Sequence, residues 1–182
     1  MSNSCVEQKT VLLETANISI NIKGENTTSD IFDLDLSAVA LDTNDKLLTE
    51  KSYIFYNNLC SIDNSIEHMG DNISTGSNKE TIRIDFKKVD PLLVKIKFFI
   101  STHKAVYQDD DISKIKSIEC SIMATSTDAV LSQCTLEQHA LEGEVVCIGE
   151  LKRDANEWSF THYLQQYTIS YIELISSFLD EK

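Results

Sequence analysis

The chain has 182 residues and a mass of 20.5 kDa, with 42% hydrophobic and 25% charged residues. That is enough for one domain with a substantial core, and it argues against intrinsic disorder. A formal net charge of -13 argues against electrostatic attraction to nucleic acid or anionic membranes, and favours cations or a basic protein partner.

The first residues carry no basic segment followed by an apolar one, and no stretch nears the ~18 apolar residues of a membrane span. A cytoplasmic protein without membrane insertion is expected. Alternating apolar residues predict strands at 11–22, 32–41 and 53–56. The segment 62–79 is rich in Asn, Asp and Ser with little apolar periodicity, so it is expected as a long surface loop. The clearest strands come next, at 81–86 and 94–100. In the second of these Val94, Ile96, Phe98 and Ile100 take one face, and Lys95 and Lys97 take a wet one. The single proline, Pro91, should sit in a hairpin or corner between them, because it cannot donate to a ladder.

The acidic run Asp109-Asp110-Asp111 is expected in a loop. Further strands are predicted at 115–124, 129–136, 144–151 and 158–163, with Trp158 anchored in the core. At 167–179, Tyr167, Tyr171, Ile175 and Phe178 recur at spacings of three and four, which predicts a C-terminal helix. The fold class is therefore mostly β: a two-sheet β-sandwich with a C-terminal α-helix, in one domain over 1–182.

Five cysteines at wide spacings, with no C-x-x-C pair, suggest reduced structural thiols. Cys60 with His68 or His103 is a conceivable thiol-imidazole pair, but no local catalytic signature surrounds it, so no enzyme and no small-molecule substrate is expected. Glycine-rich phosphate loops are absent.

Oxygen-bearing side chains gather in the first half: Asp33 and Asp35, Asn57 and Asn58, Asp71 and Asn72, and Glu80. Calcium takes roughly six to eight oxygens from such groups. Asp33 and Asp35 would share one face of a strand, with Cα atoms roughly 6–7 Å apart. They could serve a cation, or form the polar side of an amphipathic strand.

The segments Phe32 to Ala38 (FDLDLSA), Phe55 to Leu59 (FYNNL) and Glu67 to Asn72 (EHMGDN) resemble motifs of TerD-type tellurium-resistance and stress proteins. Ile148 to Arg153 and Asn156 to Phe160 resemble two later motifs of that family, so the likeness spans about 15–165. The resemblance implies a β-sandwich, calcium binding and an association with tellurite or chemical stress; protein partners are expected as well. The ligands it implies are Asp33, Asp35, Asp71, Asn72 and Glu80, with Asn57 and Asn58 beside them. The chain departs from the family where it reads Ile73 to Glu80 in place of an acid run, and where Lys23 and Lys104 stand at acidic positions. Fewer carboxylates and added lysines favour one weak site over two strong ones, and leave a metal-free interaction module as the alternative.

Overall fold

The computed structural model describes residues 9–13, 17–26, 34–70, 72–74, 77–102, 115–137 and 145–179. Among these residues two antiparallel sheets face each other, as the sequence predicts, with strands numbered in chain order. The first sheet runs β1 (Lys9–Leu13), β12 (Glu157–Tyr167), β11 (Val145–Asp154), β8 (Lys95–Thr102), β3 (Leu34–Leu41) and β4 (Tyr53–Ile54). The second runs β10 (Ala129–Glu137), β9 (Ile115–Ala124), β2 (Asn17–Asn26), β7 (Ser77–Asp85) and β5 (Ile66–His68). A further strand, β6 (Asn72–Ser74), follows β5 along the same edge of β7.

Period-2 alternation fills the space between the sheets. Ile18, Ile20 and Ile22 of β2 and Ile82 and Ile84 of β7 meet Leu36 of β3, Ile96, Phe98 and Ile100 of β8, and Phe160 of β12, all fully buried. Each such side chain contributes about 1.5–3 kcal/mol on leaving water. Trp158 belongs to this core, stacked on Phe86 at 5.1 Å between centroids, with the Arg153 guanidinium 5.3 Å from its ring centroid.

Along β3 only Asp35 falls short of full burial, because both faces of this strand are covered. Leu34, Leu36, Ala38 and Ala40 face the second sheet. Val39 and Leu41 join Phe99, Val145 and Cys147 under α1 (Tyr171–Ser176) and Phe178. Ser170 caps α1: its Oγ accepts the Glu173 N–H at 3.3 Å, and Glu173 accepts the Ser170 N–H at 2.9 Å.

Several expectations change. The strand expected at 11–22 is two strands, β1 and β2, in different sheets. The helix expected at 167–179 is six residues long, because β12 runs on through Tyr167. The expected loop 62–79 holds β5, β6 and the start of β7. The wet face expected on β8 is wet only in part, since Phe99 lies on it under α1. Pro91 follows β7 and precedes β8, which lie in different sheets, so its turn is a corner; Asp63 Oδ2 holds it by accepting the Asp90 N–H at 2.9 Å. The acidic run 109–111 lies outside the described residues.

Gly149 explains one of the motifs. It follows a bulge in β11 and adopts φ +149, where a Cβ would stand 2.5 Å from the Thr161 carbonyl oxygen and 2.7 Å from the Phe160 ring. Only glycine permits that approach.

Candidate functional site

The residues of the FDLDLSA and EHMGDN segments meet where the edge of β3 is incomplete. β4 pairs only with Ala38 and Val39, so among the described residues no strand reaches Leu36 from that side. Side chains take its place. Glu80 Oε2 accepts the Leu36 N–H, and His68 Nε2 donates to the Leu36 carbonyl at 3.0 Å. Gly70 donates its N–H to His68 Nδ1 at 3.1 Å, which puts the ring proton on Nε2. Nε2 also lies 3.5 Å from Glu80 Oε2. Both side chains are buried, at 3% exposure each, and the bonds offset the cost of taking a carboxylate out of water. Gly70 turns the chain away at φ +80, a conformation glycine reaches without strain. This clasp joins the start of β3 in one sheet to β5 and β7 in the other.

The candidate ligands fall into different settings around the clasp. Asp33 and Asp71 lie outside the described residues, as does the side chain of Asn72, whose backbone pairs with Lys79 in β6. Asp35 is half-buried and projects to the helix side of β3 with Ser37, whose hydroxyl bonds that of Tyr171. Burial pushes the Tyr53 and Tyr171 phenols up, and the Asp35 carboxylate adds to that rise. Glu80 instead reaches the β3 edge from between the sheets, so Asp35 and Glu80 do not converge on one face.

Asn57 is exposed and Asn58 buried in a tight turn closed by two backbone bonds, Phe55 N–H to Asn58 O at 3.1 Å and Asn58 N–H to Phe55 O at 2.9 Å. The Asn58 amide donates to the Tyr53 carbonyl, and its oxygen accepts from Lys51 Nζ at 2.8 Å. FYNNL therefore encodes a turn. Lys23 is exposed on the outer face, opposite Lys79 across β2 and β7, while Glu80 points inward, so Lys23 does not stand against the clasp. Lys104 lies outside the described residues.

Among the described residues, no three His, Cys, Asp or Glu side chains are grouped to hold an ion. With Glu80 and Asn58 engaged in structural bonds, the expected ligands not accounted for in this way are Asp33, Asp35, Asn57, Asp71 and Asn72. These are the oxygen donors calcium takes, and they fall short of the roughly six to eight it needs without backbone carbonyls and water. Cys60 donates to Asn64 Oδ1 at 3.1 Å, and burial with the Glu67 and Asp63 charges pushes its thiol up. The His68 ring is engaged in the clasp, and His103 lies outside the described residues. The clasp role of His68 went unread in the sequence, although the EHMGDN motif marked the place.

Comparison with known proteins agrees with the fold. The family model described as TerD domain matches residues 2–178. Tellurium resistance protein TerD of Serratia marcescens is 28% identical over 170 residues, covering 92% of this chain and 85% of its own. General stress protein 16U of Bacillus subtilis is 31% identical over 134 residues, covering 71% and 68% respectively. A crystal structure of a homologue of telluride resistance protein (TerD) from Streptomyces coelicolor superposes with a TM-score of 0.66 at 10% identity, covering 88% of this chain and 95% of that one. Among the described residues no helix is long and apolar enough to cross a membrane.

Proposed function

The chain belongs to the TerD domain family, and from that premise we propose that it is a non-catalytic stress-resistance protein that binds one calcium ion and acts through protein partners. The calcium donors are Asp33, Asp35, Asp71 and Asn72, completed by backbone carbonyls and water. The observation that supports this reading is the clasp at Leu36. It fixes the residue next to Asp35 and, through His68, the Gly70 that precedes Asp71, so two separate acidic segments start from one buried anchor. The names of relatives, tellurium resistance protein and general stress protein, support the stress-resistance role.

A second reading, a metal-free interaction module of the same fold, draws on the engagement of Glu80 and Asn58 in structural bonds. Thermal melts separate the two. Binding only to the folded form raises its stability by about 2.7 kcal/mol when the ligand is a hundredfold above its Kd. Melts of the full chain in excess chelator and in millimolar calcium should show a higher Tm with calcium, lost in both Asp33→Ala and Asp71→Ala. Superimposable melts would remove the calcium reading and leave the metal-free module.

A further inference from the structure

A second buried histidine, on β12 of the first sheet, packs against the opposite edge of the second sheet. Cys134 of the edge strand β10 stands directly opposite Cys120 of β9, and its Sγ is 3.3 Å from Nδ1 of His162 on β12, in the other sheet. His162 Nε2 is 2.8 Å from the Ser132 hydroxyl, and the Phe160 ring meets the imidazole edge to face at 4.7 Å. Cys120, His162 and Ser132 are buried, whereas Cys134 is half-buried between the exposed Gln133 and Thr135. We propose that Cys134 is a site of oxidation by hydroperoxides, with His162 as its proton partner and Cys120 as the thiol that resolves it into a cross-strand disulfide.

Each part follows from the geometry. Residues directly opposite in an antiparallel pair have Cα atoms about 4.5 or 5.5 Å apart, and both values fall within the ~4.4–6.8 Å that a disulfide spans. Cys120 and Cys134 are direct cross-strand partners, so both side chains leave the same face of the pair. Either tautomer of His162 favours a thiolate at Cys134: a free Nδ1 takes the thiol proton while Nε2–H donates to Ser132, and a protonated Nδ1 donates to the sulfur. The Cys120 hydrogen bond, followed by the bond and charge of His162, outweighs burial and pulls the Cys134 thiol down to about 5. Cys120 is pushed the other way, by its bond to Cys134 and by burial, with the Glu119 charge adding to it, so it keeps its proton until needed.

The chemistry balances in two steps. Cys134 sulfur attacks one peroxide oxygen, the O–O bond breaks, and the departing hydroxide takes the imidazolium proton to leave as water. Sulfur is oxidised by two electrons to a sulfenic acid. Cys120 sulfur then attacks Cys134 sulfur, an S–S bond forms, the S–O bond breaks, and the Cys120 proton leaves with the hydroxyl as a second water.

The test uses the full chain and one equivalent of hydrogen peroxide. The five thiols counted in denaturant should fall to three, with Cys120 and Cys134 recovered in one disulfide-linked peptide. Iodoacetamide labelling of Cys134 should be half-maximal near pH 5, while that of Cys60 still rises above pH 9. In Cys120→Ser the reaction should stop at a dimedone-reactive Cys134. His162→Gln should move the Cys134 midpoint upward and leave Cys60 unchanged. Labelling of wild-type Cys134 along the same pH curve as Cys60, or thiols lost elsewhere than this pair, would overturn the proposal without any variant having to fold.

Discussion

His68 and His162 are equally buried, at 3% exposure, and in each ring both nitrogens are engaged, yet they serve different ends. His68 passes its proton to a backbone carbonyl and receives one from a backbone N–H, while its carboxylate neighbour is held by the Leu36 amide. Its work is geometric: it substitutes for a missing length of strand. His162 faces a thiol and a hydroxyl, groups that share or surrender protons, so the same ring governs the charge on a sulfur. Burial alone does not give a histidine its role; the acidity of its partners does.

Substitution can break that distinction, and the largest effect should come from His68→Ala. It opens a cavity and leaves the Leu36 carbonyl and the Gly70 N–H without their partner, at a cost of about 4 kcal/mol read as a lower urea midpoint. It should leave Cys134 labelling unchanged; a change there would mean that the two sites are coupled. Gly149→Ala should cost about 3 kcal/mol, because its Cβ meets the Thr161 carbonyl at a φ closed to other residues. Gly149 pairs with His162 in register, so this variant should also slow Cys134 labelling. An effect on stability alone would show that the thiol site tolerates movement of β11.

A further effect is a pH dependence. The folded Cys134 thiol is held below its unfolded value, so its contribution to stability is present above the unfolded thiol range and fades as pH falls towards about 5. The raised Cys120 thiol acts in the opposite sense only above the ordinary thiol range. Wild type should therefore gain stability relative to Cys134→Ser as pH rises from about 5 to about 9, measured by urea titration. No equivalent gain is expected on comparing wild type with Cys60→Ser over that window, because the Cys60 thiol is pushed up instead.

Much of the sandwich was legible because alternation is written within each strand. Ile96, Phe98 and Ile100 declare their inward face without reference to any other element. The helix was overextended because Tyr167 and Tyr171 lie four apart and pack into one cluster, although Tyr167 ends a strand and Tyr171 begins the helix. The candidate ligands were legible as a group but not as sides: Asp35 and Glu80 carry the same chemistry, yet point to opposite faces of β3. Sequence also could not show that Asn58 would spend its amide on Tyr53 and Lys51. The pairing of Cys134 with His162 was invisible for a stronger reason. It depends on which strand edges the two layers bring together, and no local pattern encodes that.

The strand order also sets a timetable for the newborn chain. Every strand of the second sheet lies between Asn17 and Glu137, so that sheet can be complete while the ribosome is still extending the chain. The first sheet must wait, because Lys9 of β1 finds its partner in His162, made roughly 150 residues later. At typical rates of synthesis that delay is roughly 8–30 s. Throughout it β1 has no ladder partner, and the isoleucine face of the second sheet lacks β11 and β12, so the interval before release is when the chain is most open to aggregation.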